Sequence, residues 1–146
     1  MRFLVIHGPN LNRLGQREPD IYGEKTVAEI DNLLQKRCKE LGVEINTFQS
    51  NSEGAILDFI QSQAGEANGI IINPGALTHY GLSLRDAIVD SALPTIEVHL
   101  SNIYAREEWR AHSVIAPIAK GQISGLGWRG YLAALDILYA QCKEQN

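Results

Sequence analysis

Residues 70–75 of this chain read Ile-Ile-Ile-Asn-Pro-Gly. A short continuous run of isoleucine is typical of a strand that is covered on both faces, as in a parallel sheet. Asn73 directly follows the run and precedes Pro74, and a residue before proline is kept in an extended conformation. The stretch therefore predicts a buried strand that ends at Asn73, with the Asn73 side chain fixed at the floor of a crevice.

The alternation of strands and helices continues on both sides of this stretch. Further strands are predicted over residues 3–6, 43–48, 95–98 and 122–126, and helices over residues 53–66, 81–91 and 129–143. Another helix is predicted between Thr26, which has capping-box spacing to Glu29, and a C-terminal glycine cap at Gly42. Such alternation indicates a parallel sheet. The predicted fold class is α/β, a flavodoxin-like doubly wound five-stranded parallel sheet with helices on both faces.

The unusual residues of the chain collect at the carboxyl ends of these predicted strands. They are His-Gly-Pro-Asn at 7–10, Asn-Pro-Gly at 73–75 and His-Leu-Ser-Asn at 99–102. In doubly wound folds, ligands bind beyond the carboxyl ends of the strands, near the switch in strand order. The sequence therefore predicts a small-molecule site at this edge of the sheet.

Length and composition narrow the classes of protein to consider. The 146 residues fit one domain, predicted to span residues 1–146. No apolar run approaches the roughly 20 residues that cross a bilayer, so no membrane partner is expected. The two cysteines lie in helical patterns and argue against a disulfide framework, which indicates a cytoplasmic protein. A net charge of −4 argues against nucleic acid, although local arginines could still hold a small anion.

A long polar segment, GPNLNRLGQREPDIYG, occupies residues 8–23 between the first strand and the first helix. Connections in compact α/β units usually have about 2–6 residues. The basic residues Arg13 and Arg17 and the phenol of Tyr22 favour a lid over about residues 13–24, and a solvated surface loop is the alternative. The segment matches neither a Walker loop nor G-x-G-x-x-G.

Glu97 and His99 lie two residues apart on a predicted strand and therefore share one face. A carboxylate beside a histidine orients the ring and supports its protonated form, as a general acid requires. The alternatives are a surface ion pair and a metal site that includes His79, although no H-x-x-x-H or paired-cysteine spacing supports a metal. Asn73 could also cap a turn, and His79 could be purely structural.

Arg106 and Arg110 form a basic pair that would lie on one face if the segment were helical. The functional interpretation is an arginine pair that faces the crevice. The alternative is that Glu107 and Glu108 neutralise both charges.

Several long segments resemble the type II 3-dehydroquinate dehydratase family, and together they cover essentially the whole chain. They are GPNLNRLGQREPDIYG (8–23), QSNSEGAI (49–56), INPGALTHYGLSLRDA (72–87), IEVHLSNIYAREEWR (96–110) and GQISGLGWRGYLAAL (121–135). Long segments in the right order are far more specific than any single motif. Trp109 and Trp128 within them are expected to be tolerated hydrophobic variation.

The resemblance implies a flavodoxin-like enzyme of the shikimate route to aromatic compounds. Such an enzyme eliminates water from 3-dehydroquinate in the anti sense and gives 3-dehydroshikimate through an enolate intermediate. It uses no cofactor, no metal and no Schiff base. The resemblance also implies a homododecamer built as a tetramer of trimers.

The roles of individual residues follow from the same resemblance. Tyr22 matches the base that removes the proton alpha to the ketone, Arg17 the cation that stabilises its anion, and Asn10 the group that holds a water on the enolate oxygen. His99, supported by Glu97, matches the acid that protonates the leaving hydroxyl. The substrate-holding positions are Asn73, His79, Leu100, Ser101 and Arg110, with Arg106 as a second lid-side arginine and Asp86 reaching the site of a neighbouring subunit.

Three rival functions make different demands on the sequence. A flavin or nucleotide module would need a Ser/Thr/Gly-rich phosphate loop after the first strand, where this chain has Gly-Pro-Asn-Leu at 8–11. A receiver-type signalling domain would need acidic residues at the positions of His7 and Asn73. A Schiff-base dehydratase would need a lysine at a strand end, but the lysines at 25, 36, 39, 120 and 143 lie elsewhere.

Overall fold

The structure is a computed structural model that describes residues 1–146, and its centre is one parallel sheet in the order β2-β1-β3-β4-β5. The strands are β1 (Arg2–His7), β2 (Glu44–Gln49), β3 (Gly69–Asn73), β4 (Thr95–His99) and β5 (Gly121–Ser124). β3 and β4 are buried along their whole length, as expected for continuous apolar strands inside a parallel sheet. The predicted doubly wound α/β fold is confirmed.

Helices cover both faces of the sheet. They are α1 (Pro19–Tyr22), α2 (Val27–Leu41), α3 (Glu53–Gln63), α4 (Leu82–Ser91) and α5 (Arg129–Glu144). Phe3 and Val5 of β1 pack in the apolar cluster that contains α2 and α5, whereas Leu4 and Ile6 pack in the cluster that contains α3 and α4. Alternate strand residues point to opposite faces, so the continuous apolar strand supplies both cores. None of the helices is both long and apolar enough to cross a membrane.

The predicted caps of α2 are present. The Thr26 hydroxyl accepts a hydrogen bond from the Glu29 backbone N–H at 3.1 Å, and the Glu29 carboxylate accepts one from the Thr26 backbone N–H at 3.4 Å. Gly42 ends the helix with φ +71, a conformation that glycine adopts without steric cost. These caps fix the point at which the long polar segment ends and the helix begins.

Most element boundaries lie within one or two residues of the sequence-based prediction, and the larger differences have physical reasons. The helix predicted over residues 53–66 ends at Gln63 and continues as a 3₁₀ turn, Ala64–Glu66. The last strand ends at Ser124 because Gly125 has φ +87, which breaks the extended backbone. Arg106 and Arg110 do not lie on one continuous helix, so the helical spacing considered for them is wrong. Two short 3₁₀ turns, Ile103–Ala105 and Glu108–Ala111, lie on either side of Arg106, which is extended.

The switch in strand order lies between β1 and β3, and two glycines bring the loops after these strands into backbone contact. The Gly8 N–H donates to the Asn73 carbonyl at 2.7 Å. A Cβ at Gly8 would lie 2.5 Å from the Pro74 carbonyl oxygen, and a Cβ at Gly75 would lie 2.8 Å from that of Pro9. Only glycine permits this approach, which places the ends of β1 and β3 side by side at the predicted site.

Candidate active site

A cavity lies at the carboxyl ends of β1, β3 and β4, where the sequence predicts the site. Its volume is about 90 Å³. The sequence-predicted site residues that line it are Asn10, Arg17, Tyr22, Asn73, His79, His99, Leu100, Ser101, Arg106 and Arg110.

The Tyr22 ring lies close to two guanidinium groups. The Cζ atom of Arg17 is 4.9 Å from the centroid of the Tyr22 ring, and the Cζ atom of Arg106 is 5.1 Å from it. Tyr22 is the last residue of α1, so this short helix carries the phenol from the polar segment to the cavity. The arrangement places one phenol within the field of two positive charges.

His99 and Glu97 share a face of β4 and are hydrogen-bonded, with His99 Nε2 2.5 Å from Glu97 Oε2. Glu97 has no solvent exposure, so the alternative of a surface ion pair is wrong. Its carboxylate accepts two further hydrogen bonds, from the Ser113 hydroxyl at 2.7 Å and from the Gln122 amide at 2.6 Å. His99 Nδ1 makes no hydrogen bond within the chain, and His99 lines the cavity.

These contacts set the ionisation of Glu97. Burial, the strongest influence, acts to raise the pKa of Glu97, but the hydrogen bond and charge of His99, helped by Ser113 and Gln122, outweigh it and leave the pKa below its usual range. The carboxylate is therefore ionised at neutral pH and faces the imidazole. Because its lone pairs are engaged, it is poorly placed to bind a metal, and no three His, Cys, Asp or Glu side chains are grouped to hold one.

The arginine pair faces the cavity and also contacts an acidic neighbour. Arg110 Nε lies 2.5 Å from the Glu107 carboxylate, and Arg106 Nε lies 3.9 Å from it. The pKa of Glu107 is lowered, first by its own backbone N–H and then by Arg110. Arg106 also donates to the Ser101 hydroxyl at 3.2 Å. Glu107 therefore offsets part of the positive charge, as the alternative interpretation proposed, although both arginines still line the cavity.

Asn73 and His79 are held by backbone groups. Asn73 Oδ1 accepts a hydrogen bond from the Gly75 N–H at 3.1 Å, so the residue caps the turn after β3 while it lines the cavity. His79 Nδ1 donates to the His112 carbonyl at 2.7 Å. The ring orientation of His79 is therefore fixed by the backbone, with Nε2 left for a ligand.

Asp86 and Glu97 are the predicted site residues that do not line this cavity. Glu97 lies behind His99 and acts on the cavity through it. Asp86 lies on α4, its side chain is 75% exposed, and its nearest ion-pair partner is Arg85 at 3.6 Å. Within a single chain, Asp86 therefore makes no contribution to the cavity.

The chain is similar to known proteins over most of its length. A family model described as dehydroquinase class II matches residues 1–139. The chain belongs to this family. It is 62% identical over 138 residues to the 3-dehydroquinate dehydratase of Roseiflexus castenholzii, an alignment that covers 94% of this chain and 88% of the relative. It is 50% identical over 139 residues to the 3-dehydroquinate dehydratase of Bacillus subtilis, covering 95% and 94%.

Solved structures of class II dehydroquinases have the same fold. The type II dehydroquinase of Butyrivibrio crossotus superposes with a TM-score of 0.92 at 47% identity, covering 94% of this chain and 97% of that one. The type II dehydroquinase of Propionibacterium acnes gives 0.91 at 43% identity, covering 95% and 96%. This chain therefore shares its flavodoxin-like fold with both type II dehydroquinases over nearly its whole length.

Sequence reasoning missed several residues that support this dehydroquinase cavity. Asn51 accepts a hydrogen bond from the Asn10 backbone N–H at 2.9 Å, and Ser113 and Gln122 hold Glu97. Trp109, expected to be tolerated variation, lines the cavity and packs edge-on against His79 with ring centroids 5.1 Å apart. The sequence could have indicated this position, because Trp109 lies between Arg106 and Arg110 and ligand pockets are lined mainly by hydrophobic and aromatic side chains.

Proposed function

We propose that this chain catalyses the dehydration of 3-dehydroquinate to 3-dehydroshikimate, an anti elimination through an enolate intermediate, as a hydro-lyase of the shikimate pathway. The observation that carries the proposal is the pairing of two devices in one small cavity. One is a phenol whose ring lies about 5 Å from two guanidinium groups, and the other is an imidazole backed by a buried carboxylate. Together they supply a base and an acid without a cofactor.

Tyr22 is the base. A free tyrosine has a pKa of about 10 and is protonated at neutral pH, so a phenolate must be stabilised by nearby positive charge. Arg17 and Arg106 both lie about 5 Å from the ring centroid. The phenolate takes the proton alpha to the ketone, and the C–H electron pair passes into the enolate. Asn10 orients a water that donates a hydrogen bond to the enolate oxygen.

His99 is the acid. The enolate reforms the ketone, its electrons form the new C=C bond, and the C–O bond to the leaving hydroxyl breaks. The His99 imidazolium protonates that hydroxyl, so that water leaves rather than hydroxide. Glu97 favours the imidazolium because its buried negative charge lies 2.5 Å from Nε2. Base and acid lie on different segments and so can approach opposite faces of the ring.

The remaining residues of the cavity hold the substrate, a small anionic hydroxy-ketone. Arg110 supplies positive charge for the carboxylate, and polar groups near it supply hydrogen bonds to the hydroxyls. The proposed substrate-binding residues are Asn73, His79, Leu100, Ser101, Arg106 and Arg110, together with Asp86 from a neighbouring subunit. The exposure of Asp86 in the single chain is compatible with that role.

The lid is narrower in this proposal than the predicted range of about 13–24. Leu14 is buried in the core beneath α2 and anchors the first part of the polar segment. Gly15 has φ +88 and Gly23 has φ +86, and both flank the part that carries Arg17 and Tyr22. We propose that residues 15–23 move as the lid and that closure assembles the base and excludes water.

Residues 1–146 form a single catalytic domain, and the enzyme is a homododecamer arranged as a tetramer of trimers. Exposed apolar residues on and beside α4, among them Tyr80, Leu82 and Val89, support contact between subunits near Asp86. The two unpaired cysteines support a cytoplasmic location. Size-exclusion chromatography with light scattering measures the assembly directly.

One assay tests the activity. Purified protein is mixed with 3-dehydroquinate in the presence of a chelator, and the conjugated enone product is followed by ultraviolet absorbance. The unmodified chain and the control Tyr139→Phe should form the enone, whereas Tyr22→Phe should lose most turnover while still binding product. Near-normal turnover by Tyr22→Phe would show that the base is misassigned. Inactivation by borohydride with substrate would instead indicate a Schiff base.

A further inference from the structure

The segment QSNSEGAI, residues 49–56, has no part in the proposed mechanism, although it lies beside the loop that follows β1. Its place is set by the parallel pairing of β1 and β2, in which His7 is the register partner of Gln49. Both strands end at this pair. The residues that follow, 8–10 and 50–52, therefore lie side by side at the edge of the sheet that carries the cavity.

Three hydrogen bonds join these two loops, and the chemistry of the amides fixes their direction. The Asn10 backbone N–H donates to Asn51 Oδ1 at 2.9 Å. The Gln49 amide nitrogen carries two hydrogens and donates to the same Asn51 oxygen and to the Gly8 carbonyl, each at 3.2 Å. The side chains of Gln49 and Asn51 therefore form a continuous bridge to the backbone of residues 8–10, called the amide bridge below.

Asn10 has an unusual backbone conformation, with φ +70 and ψ −5. Residues other than glycine rarely adopt this left-handed region, although asparagine enters it more readily than most. Such a conformation persists only where the surrounding structure holds it. Asn51 holds the N–H of Asn10, and the Arg13 N–H donates to the Asn10 carbonyl at 3.0 Å. Because both backbone groups of Asn10 are held, the direction of its Cα–Cβ bond is fixed as well.

The side chain of Asn10 is not used to cap the 3₁₀ turn that follows it. An asparagine before a helical turn commonly accepts a hydrogen bond from that turn, but the Asn10 side chain makes none, and Asn10 lines the cavity. The contacts that hold Asn10 are therefore backbone contacts, and its carboxamide is left for a partner in the cavity.

We propose that the amide bridge of Gln49 and Asn51 holds Asn10 in its left-handed conformation and so directs the Asn10 carboxamide into the cavity, which makes Gln49 and Asn51 positioning residues. The inference rests on the proposed function, in which Asn10 orients a water on the enolate oxygen. That water stabilises charge that develops only as the enolate forms. Loss of the amide bridge should therefore lower kcat and leave KM nearly unchanged.

The first test removes the acceptor of the amide bridge. Asn51 is exposed, so Asn51→Leu leaves the core intact. It should lower kcat for 3-dehydroquinate by roughly three- to tenfold, the effect of one hydrogen bond, with little change in KM. Asn51→Asp keeps an acceptor oxygen and should recover most of the lost kcat. Asn32→Leu makes the same chemical change at an exposed position on α2 and is the matched control, which should change neither value.

The second test asks whether Asn51 acts through the Asn10 side chain. In an Asn10→Gly background, Asn51→Leu should have no further effect on kcat, because glycine adopts the same backbone conformation but has no carboxamide to direct. Equal losses in both backgrounds would reduce Asn51 to a structural residue. Wild-type kcat in Asn51→Leu would overturn the positioning role.

Gln49→Glu decides the question if Asn51→Leu does not fold. It places a carboxylate against the two oxygens to which the Gln49 amide donates, so kcat should fall in the wild-type background and not in the Asn10→Gly background. Any other pattern overturns the inference. Absence of enone formation by the unmodified chain is a different result, because it refutes the proposed function itself.

Discussion

Glu97→Gln is the substitution that most directly tests the proposed support of His99 by Glu97. Three donors, on His99, Ser113 and Gln122, reach the two carboxylate oxygens of Glu97 at 2.5, 2.7 and 2.6 Å. Glutamine offers one acceptor oxygen and an amide that donates, so at least one donor loses its partner. A hydrogen bond to a charged group contributes about 1.5–3 kcal/mol. At about 1.4 kcal/mol for each factor of ten, kcat should fall roughly 10- to 150-fold.

Steady-state enone formation measures this loss, with kcat determined across the pH range. Glu108→Gln is the matched control, since it makes the same chemical change at an exposed position that has no ion pair, and it should leave kcat unchanged. A Glu97→Gln enzyme whose kcat stays within about twofold of the wild type would refute the reasoning, because such a loss is smaller than one buried hydrogen bond.

Three further results are expected. The pKa of Glu97 in the folded protein lies below the ordinary 4.5, so ionised Glu97 stabilises the fold above pH 4.5, and the free energy of unfolding should decrease as the pH falls and the carboxylate is protonated. Urea denaturation at a series of pH values measures this decrease. If Glu97→Gln lost stability towards low pH as steeply as the unmodified protein, the decrease would not come from Glu97. Gly75→Ala should lower the free energy of unfolding by about 1–3 kcal/mol because of its positive φ, unlike Gly54→Ala, where a Cβ meets nothing closer than 3.8 Å; equal denaturation midpoints would exclude the strain. Trypsin should cleave after Arg17 more slowly with 3-dehydroshikimate bound, and equal cleavage rates would argue against a lid.

Features that depend on neighbours in sequence could be predicted from the sequence. The capping box joins Thr26 to a residue only three positions away, and the isoleucines at 70–72 specify a buried strand wherever that strand lies in the sheet. Glu97 and His99 meet because a strand has a period of two residues. Each of these contacts follows from local backbone geometry and needs no knowledge of the rest of the fold.

The arginine segment shows where local reasoning ends. Helical spacing would have placed Arg106 and Arg110 together, but the chain forms two short 3₁₀ turns instead. Both arginines still line the cavity, because Arg106 bonds to Ser101 and Arg110 pairs with Glu107. Tertiary contacts therefore decided a conformation that the spacing alone left open.

The amino-acid sequence by itself determined the alternation of elements and the edge of the sheet at which the polar residues collect, because periodicity and strand ends are local properties of the chain. Only the tertiary structure decided which groups from different elements meet there. Gln122 reaches Glu97 because β5 pairs with β4 in a register that sets these two residues side by side. Tyr131 meets His7 across 124 positions of sequence because α5 packs in the apolar cluster that also contains Phe3 and Val5 of β1. Strand order and register are set by packing of the whole core, so these partners have no local signature.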